Sequence, residues 1–97
     1  MDKLRTETEN LAIYRKAIEK FGDDSQINMA MEEMSELTKE LCKWKRGNQN
    51  FEEILEEIAD VYIMMHQLTL IFDDATEMNV IKNIDYKTKR LEKIING

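Results

Sequence analysis

Apolar residues recur along this chain at spacings of three and four, the period of a helix with one buried face. Leu11, Tyr14, Ile18 and Phe21 form the first such face, over about Glu7 to Phe21, and Gly22 is its natural stop. A second stripe runs through Ile27, Ala30, Met34, Leu37, Leu41 and Trp44, with Asp24 or Ser25 as its cap. The stretch RGNQN interrupts it, offering Gly47 for a turn and Asn50 as the next cap. Ile54, Ile58, Val61, Met65, Leu68 and Phe72 then repeat the same spacing up to DDAT, which breaks it again. Ile81, Ile84, Leu91 and Ile95 mark a fourth helix ending at Gly97. The pattern predicts an all-α fold, a small antiparallel bundle of about four helices joined by short connections. Leu41, Trp44, Met65 and Leu68 carry the seams beyond what one small bundle covers, so oligomerisation, as a homodimer or homotetramer, is expected to complete it.

Composition narrows the class. The 97 residues make one small domain, 1–97, at a size where a single core is only marginally sufficient. No proline and only three glycines permit long helices and disfavour a sheet with tight turns. A net charge of −6 argues against a nucleic-acid partner, because phosphate neutralisation needs clustered Lys and Arg. It still allows a phosphorylated small molecule if a divalent cation sits between. Cys42 is the single cysteine, which rules out an internal disulfide and fits a reducing cytoplasm. The start, MDKLRTETEN, lacks the apolar core of a secretory leader. The longest apolar stretch, VYIMMHQLTLIF, is too short and too polar to span a bilayer. A cytoplasmic protein without a membrane partner is expected.

The acids carry the chemistry. Glu33 and Glu36 on the second helix, and Glu57 and Asp60 on the third, stand three apart within apolar residues. At about 100° per residue, Glu33 lies roughly 60–70° and Glu36 about 120–130° to one side of their stripe. Glu57 and Asp60 fall at nearly the same offsets in the same sense. Facing antiparallel helices are related by a two-fold axis that keeps equal offsets on one side, so a hairpin gathers all four carboxylates on one flank. Height agrees: Glu33 with Asp60, and Glu36 with Glu57, are equidistant from a turn between Arg46 and Gly47. Carboxylates held within about 4–6 Å raise one another's pKa unless a cation intervenes. With no histidine beside them they form a hard oxygen site suited to Mg2+, with Mn2+ as a substitute. A single acidic pair on a charged helix is most often a solvated face. Glu40 and Glu53 share the flank and match in height as well, and geometry alone does not choose between the levels.

The stretch EEMSEL, followed some twenty residues later by EEIAD, resembles the EExxE…ExxD signature of the MazG-like all-α nucleoside triphosphate pyrophosphohydrolases. FGDDSQINMAMEEMSEL is similar to that family's approach to its first motif, and IDYKTKRLEKI to its basic last helix. The likeness spans roughly residues 20–95. It implies that Glu33, Glu36, Glu57 and Asp60 ligate Mg2+ and serve catalysis, in place of Glu40 and Glu53. Glu32 and Glu56 occupy the extra acidic positions, and Glu32 points away from the stripe. The implied reaction splits a nucleoside triphosphate, ribo or deoxy, between the α- and β-phosphorus atoms into monophosphate and pyrophosphate. Metal held by the acids would bridge phosphate oxygens and acidify a bound water, with an uncommitted carboxylate accepting the proton. Asn83, Lys87 and Arg90, on one flank of the fourth helix, are candidates for the developing negative charge, or else an exposed basic strip. Gln26 and Met29 precede Glu33 on its flank and are candidates to line a base pocket.

Other residues point elsewhere. Trp44 continues the seam as core or subunit contact, His66 is structural, and Cys42 has no paired histidine. The absence of ExxH on paired helices argues against a ferritin-like di-iron site. Two competing readings remain: a non-catalytic helical adaptor that dimerises through its seams, and a related phosphoribosyl-ATP or dUTP pyrophosphohydrolase with the same acids and a different base pocket.

Overall fold

Helix ends are set by local chemistry. In the computed structural model, which describes residues 3–97, Thr6 caps α1 (Glu7–Phe21). The Glu9 amide donates to Thr6 Oγ1 at 3.2 Å and the Thr6 amide donates to Glu9 Oε1 at 3.0 Å, so two orphan donors are satisfied at once. Gly22 ends α1 at φ 90°, a backbone region glycine enters without steric cost, and the next residue begins α2 (Asp23–Lys45). The cap expected at Asp24 or Ser25 therefore lies one residue or more inside the helix, because a single glycine makes the whole connection. Asp23 and Asp24 occupy the first turn instead, where negative charge meets the positive end of the helix dipole.

Gly47, at φ 96°, turns the chain after α2, and Asn50 begins α3 (Phe51–Phe72) as its spacing predicts. Its side chain makes no capping bond there and is used elsewhere. The DDAT break has a definite architecture. Asp73 closes α3 and then accepts from the Asn79 and Val80 amides at 3.1 and 2.8 Å, which starts α4 (Asn79–Asn96). Those bonds, the one from Val80 foremost, hold the Asp73 carboxyl below its ordinary value.

All four expected helices are present, with no strand among the described residues. None of them is long and apolar enough to cross a membrane. The α2–α3 hairpin is the main packing unit, α1 packs against both of its helices, and substantial packing is confined to these three. Every residue of α4 is exposed. On the hairpin the buried apolar positions are Ala30 and Met64, while Met34, Leu41, Trp44, Met65 and Phe72 of the expected stripes stand open. Gln26 and Gln67 occupy the line between the helices, and Met64 with Gln67 places the buried face of α3 one residue ahead of Met65 and Leu68.

Candidate metal centre

The hairpin is pinned at both ends by buried polar side chains. At its open end Gln26 Nε2 donates to Gln67 Oε1, and both residues are almost wholly buried. At its turn Asn50 Nδ2 donates to the Glu40 backbone oxygen at 3.0 Å and to Glu40 Oε1 at 2.8 Å. Lys43 Nζ stands 3.2 Å from the other Glu40 oxygen. A slide of one helix by a turn would strand these groups, and each buried polar group left unpaired costs about 1–3 kcal/mol. The register between the pins is thereby held, and Glu33, Glu36, Glu57 and Asp60 lie between them.

Of these four, Glu33, Glu57 and Asp60 come together. One oxygen from each lies within 4.8 Å of the others, and all three residues are half-buried. A magnesium ion sits about 2.1 Å from each ligand, so its oxygens lie at most about 4.2 Å apart. The spacing seen here is up to about 0.6 Å wider, so holding such an ion would require the three side chains to draw together. The unpartnered atom is Glu57 Oε2, which is buried and has no hydrogen-bond donor. Glu36 is exposed and stands outside the close set, although its charge is felt by both Glu33 and Glu57.

Electrostatics follow from the geometry. Burial pushes the Glu33 carboxyl above its ordinary value of 4.5, and the charges of Asp60, Glu57 and Glu36 push in the same direction. When protonated, Glu33 donates to Asp60, which adds to the effect. Burial likewise raises Glu57, followed by the charges of Asp60, Glu36, Glu40 and Glu56. No cation of the chain forms an ion pair with any of the three among the described residues. An oxygen-only donor set of this kind fits Mg2+ or Mn2+, and a cation there would satisfy Glu57 Oε2 and reverse the repulsion.

The second acidic level is built differently. Glu40 is buried and held by Asn50 and Lys43, and its carboxyl is lowered by the hydrogen bond from Asn50 and then by that from Lys43. Glu53 is exposed. The two levels that spacing left equal are therefore a repulsive cluster and a latch whose Glu40 carboxylate is paired, although Asn50 Oδ1 is buried there without a partner of its own.

The other candidates fall in several places. Gln26 lies inside the hairpin with its amide donated to Gln67, and Met29 is exposed beside it. Asn83, Lys87 and Arg90 all stand on the exposed surface of α4, with Asn83 Nδ2 donating to the Asn79 backbone oxygen at 2.9 Å. Trp44 is half exposed and Cys42 is a free, exposed thiol. His66 stacks on Tyr14 with ring centroids 5.8 Å apart, a contact between α3 and α1. Sequence reasoning did not find Gln67 or the latch role of Glu40. The available signal was an amide amid the apolar run VYIMMHQLTLIF, and an Asn at the helix start facing an acid across the turn. Compared with family models, with curated proteins and with solved structures, the chain matches none.

Proposed function

We propose that this chain is a Mg2+-dependent nucleoside triphosphate pyrophosphohydrolase of MazG-like character, cytoplasmic and working as a homo-oligomer. The observation that carries the reading is the meeting of three half-buried carboxylates, one with a buried oxygen that has no donor. Side chains that repel in the empty protein and share a hard oxygen donor set are organised for a cation. Glu33, Glu57 and Asp60 would hold it. A bound Mg2+ supplies polarisation of phosphate oxygens and a more acidic water.

The chain's own residues do the rest. Glu36, exposed on the same flank and outside the close set, is free to accept the proton of the attacking water. The reading requires α4, of this copy or of another, to come to the acids, where Lys87 and Arg90 would neutralise the leaving pyrophosphate and Asn83 would donate a hydrogen bond. Water adds to the α-phosphorus, the bond to the bridging oxygen of the β-phosphate breaks, and monophosphate and pyrophosphate separate. The test is turnover of purified protein with the common NTPs and dNTPs, phosphoribosyl-ATP included, in water labelled with oxygen-18. Label in the monophosphate is expected. Diphosphate and orthophosphate as first products would exclude this chemistry.

The exposed stripe residues Met34, Leu41, Trp44 and Met65 favour a second reading, a non-catalytic adaptor that assembles through these faces. It requires no turnover of any triphosphate and no response to Mg2+.

A further inference from the structure

We propose that the apolar cleft beside α3 receives the last turns of α4 from a second copy of this chain, in a reciprocal exchange. The cleft encloses about 600 Å3 and is walled by Leu11 of α1, Tyr62, Met65 and Thr69 of α3, and Val80 and Ile84 of α4. Its own chain does not fill it. The first turns of α4 are one of its walls, and a helix rising 1.5 Å per residue carries residues 91 to 95 roughly 10–16 Å beyond Ile84. Those last turns bear Leu91, Ile94 and Ile95, which are 54%, 69% and 73% exposed. Leu91 and Ile95 share the stripe of Ile84, and Ile94 sits at its edge. One chain thus presents an apolar cleft without a filler and an apolar helix end without a cover.

The exposed area is what a missing partner of this kind leaves. The chain exposes 8179 Å2, whereas a folded monomer of 11.5 kDa exposes about 5,800 Å2. The excess, about 2,400 Å2, is larger than the ~800 Å2 that each partner gives up in a standard stable interface. The Cα radius of gyration of 16.2 Å exceeds the ~12.5 Å of a compact chain this long in the same sense.

Charge selects the same occupant. In α4 the cations Lys82, Lys87, Lys89, Arg90 and Lys93 outnumber the acids Asp85 and Glu92, for a formal charge of +3. The rest of a chain whose total is −6 then carries −9. Exchange lays each basic arm on the other copy's acidic body, which turns body–body repulsion into attraction. Isologous contacts of this sort close on themselves as a dimer. The inference concerns a different surface from the acids, since Glu33, Glu57 and Asp60 do not line the cleft.

Light scattering of the full chain tests it, with twice 11.5 kDa or an even multiple expected. Leu91→Asp with Ile95→Asp should at least halve that mass, and α1–α3 should stay folded by circular dichroism because α4 adds little to their packing. Tyr62→Asp, at a cleft position 66% exposed within one copy, should do the same. In a Cys42→Ser background, chains carrying Met65→Cys and chains carrying Ile95→Cys should cross-link to one another on oxidation. A monomeric wild type overturns the proposal, whatever the turnover assay gives. So does a dimer broken by the α4 changes but indifferent to Tyr62→Asp and without that cross-link, which would place the partner, or another ligand, off the cleft.

Discussion

Two acidic levels of one hairpin, alike in residue type and flank and each matched in height across the two helices, have opposite fates. At the level nearer the turn, Glu40 is buried with an amide donor and a lysine at hand, and its charge is favoured. One turn further out, Glu33, Glu57 and Asp60 face one another, with Glu57 Oε2 left without any donor. The difference lies in what each level is given by the rest of the chain. An acid with internal partners holds the fold together, whereas the acids of the cluster have no ion-pair partner among the described residues and repel one another. The largest expected effect breaks or upholds this contrast directly. Glu57→Gln should lower triphosphate turnover by at least about 100-fold, since even outer-shell partners of metal ligands command 10–100-fold. Glu40→Gln should leave most of it. Equal losses would mean that the two levels do not differ in their bearing on activity and would break the contrast.

Metal binding sharpens the contrast without reference to turnover. A cation that binds only the folded protein adds about 2.7 kcal/mol of stability at 100 times its Kd. Wild type and Glu40→Gln should both gain melting temperature with Mg2+ or Mn2+, and Glu57→Gln should gain far less. Glu36→Gln should fall between them, because its carboxylate contributes charge from outside the close set. The same rise in all four proteins would dispose of the cluster as the binding site. The latch gives a smaller effect of its own. Asn50→Ala removes the buried amide that closes the turn and should lower the melting temperature by roughly 4–8 °C, the change that about 1 kcal/mol makes in a domain this size. A variant that melts with wild type would show that the turn is held by its backbone alone.

Particular residues show how far the sequence carried this picture. Helix ends were legible where a residue type punctuates a helix, as at Gly22 and the DDAT break, and at Asn50 the position was legible but the use of its side chain was not. The flank of the acids was legible because helical periodicity and a two-fold axis suffice to place it. The choice of level was not legible from spacing. It depends on whether Asn50 spends its amide on its own helix or across the turn, which only packing decides. The rotation of α3 was hidden for the same reason. Periodicity weights apolar residues, so it centred the stripe on Met65 and Leu68 and missed that Gln67, once paired with Gln26, can occupy the core line. On α4 the stripe was legible and its neighbour was not, because a periodic apolar face announces burial without naming what covers it.

The smallest effect is a dependence on pH, and its sign separates the two levels again. Glu40 has a lowered pKa in the fold, so it contributes stability above its ordinary value of 4.5 that is lost as pH falls through the folded value. Glu33 and Glu57 are raised, so the folded protein holds their protons more tightly than the unfolded chain does. Their stabilising effect is fully present below 4.5 and is lost as pH rises through the raised folded values. The groups facing them, Asp60, Glu36, Glu40 and Glu56, are all acids, and none opposes this direction. With chelator present, wild type should therefore lose ground to Glu57→Gln as pH is raised from about 4.5 to 7, by a few degrees in melting temperature. Saturating Mg2+ should invert the trend, because protons then compete with the cation for the same oxygens. Thermal melts of the two proteins across that range, with chelator and with Mg2+, measure both slopes. A difference between them that stays flat in chelator would mean that the three carboxylates are solvated independently and that their convergence has no energetic consequence.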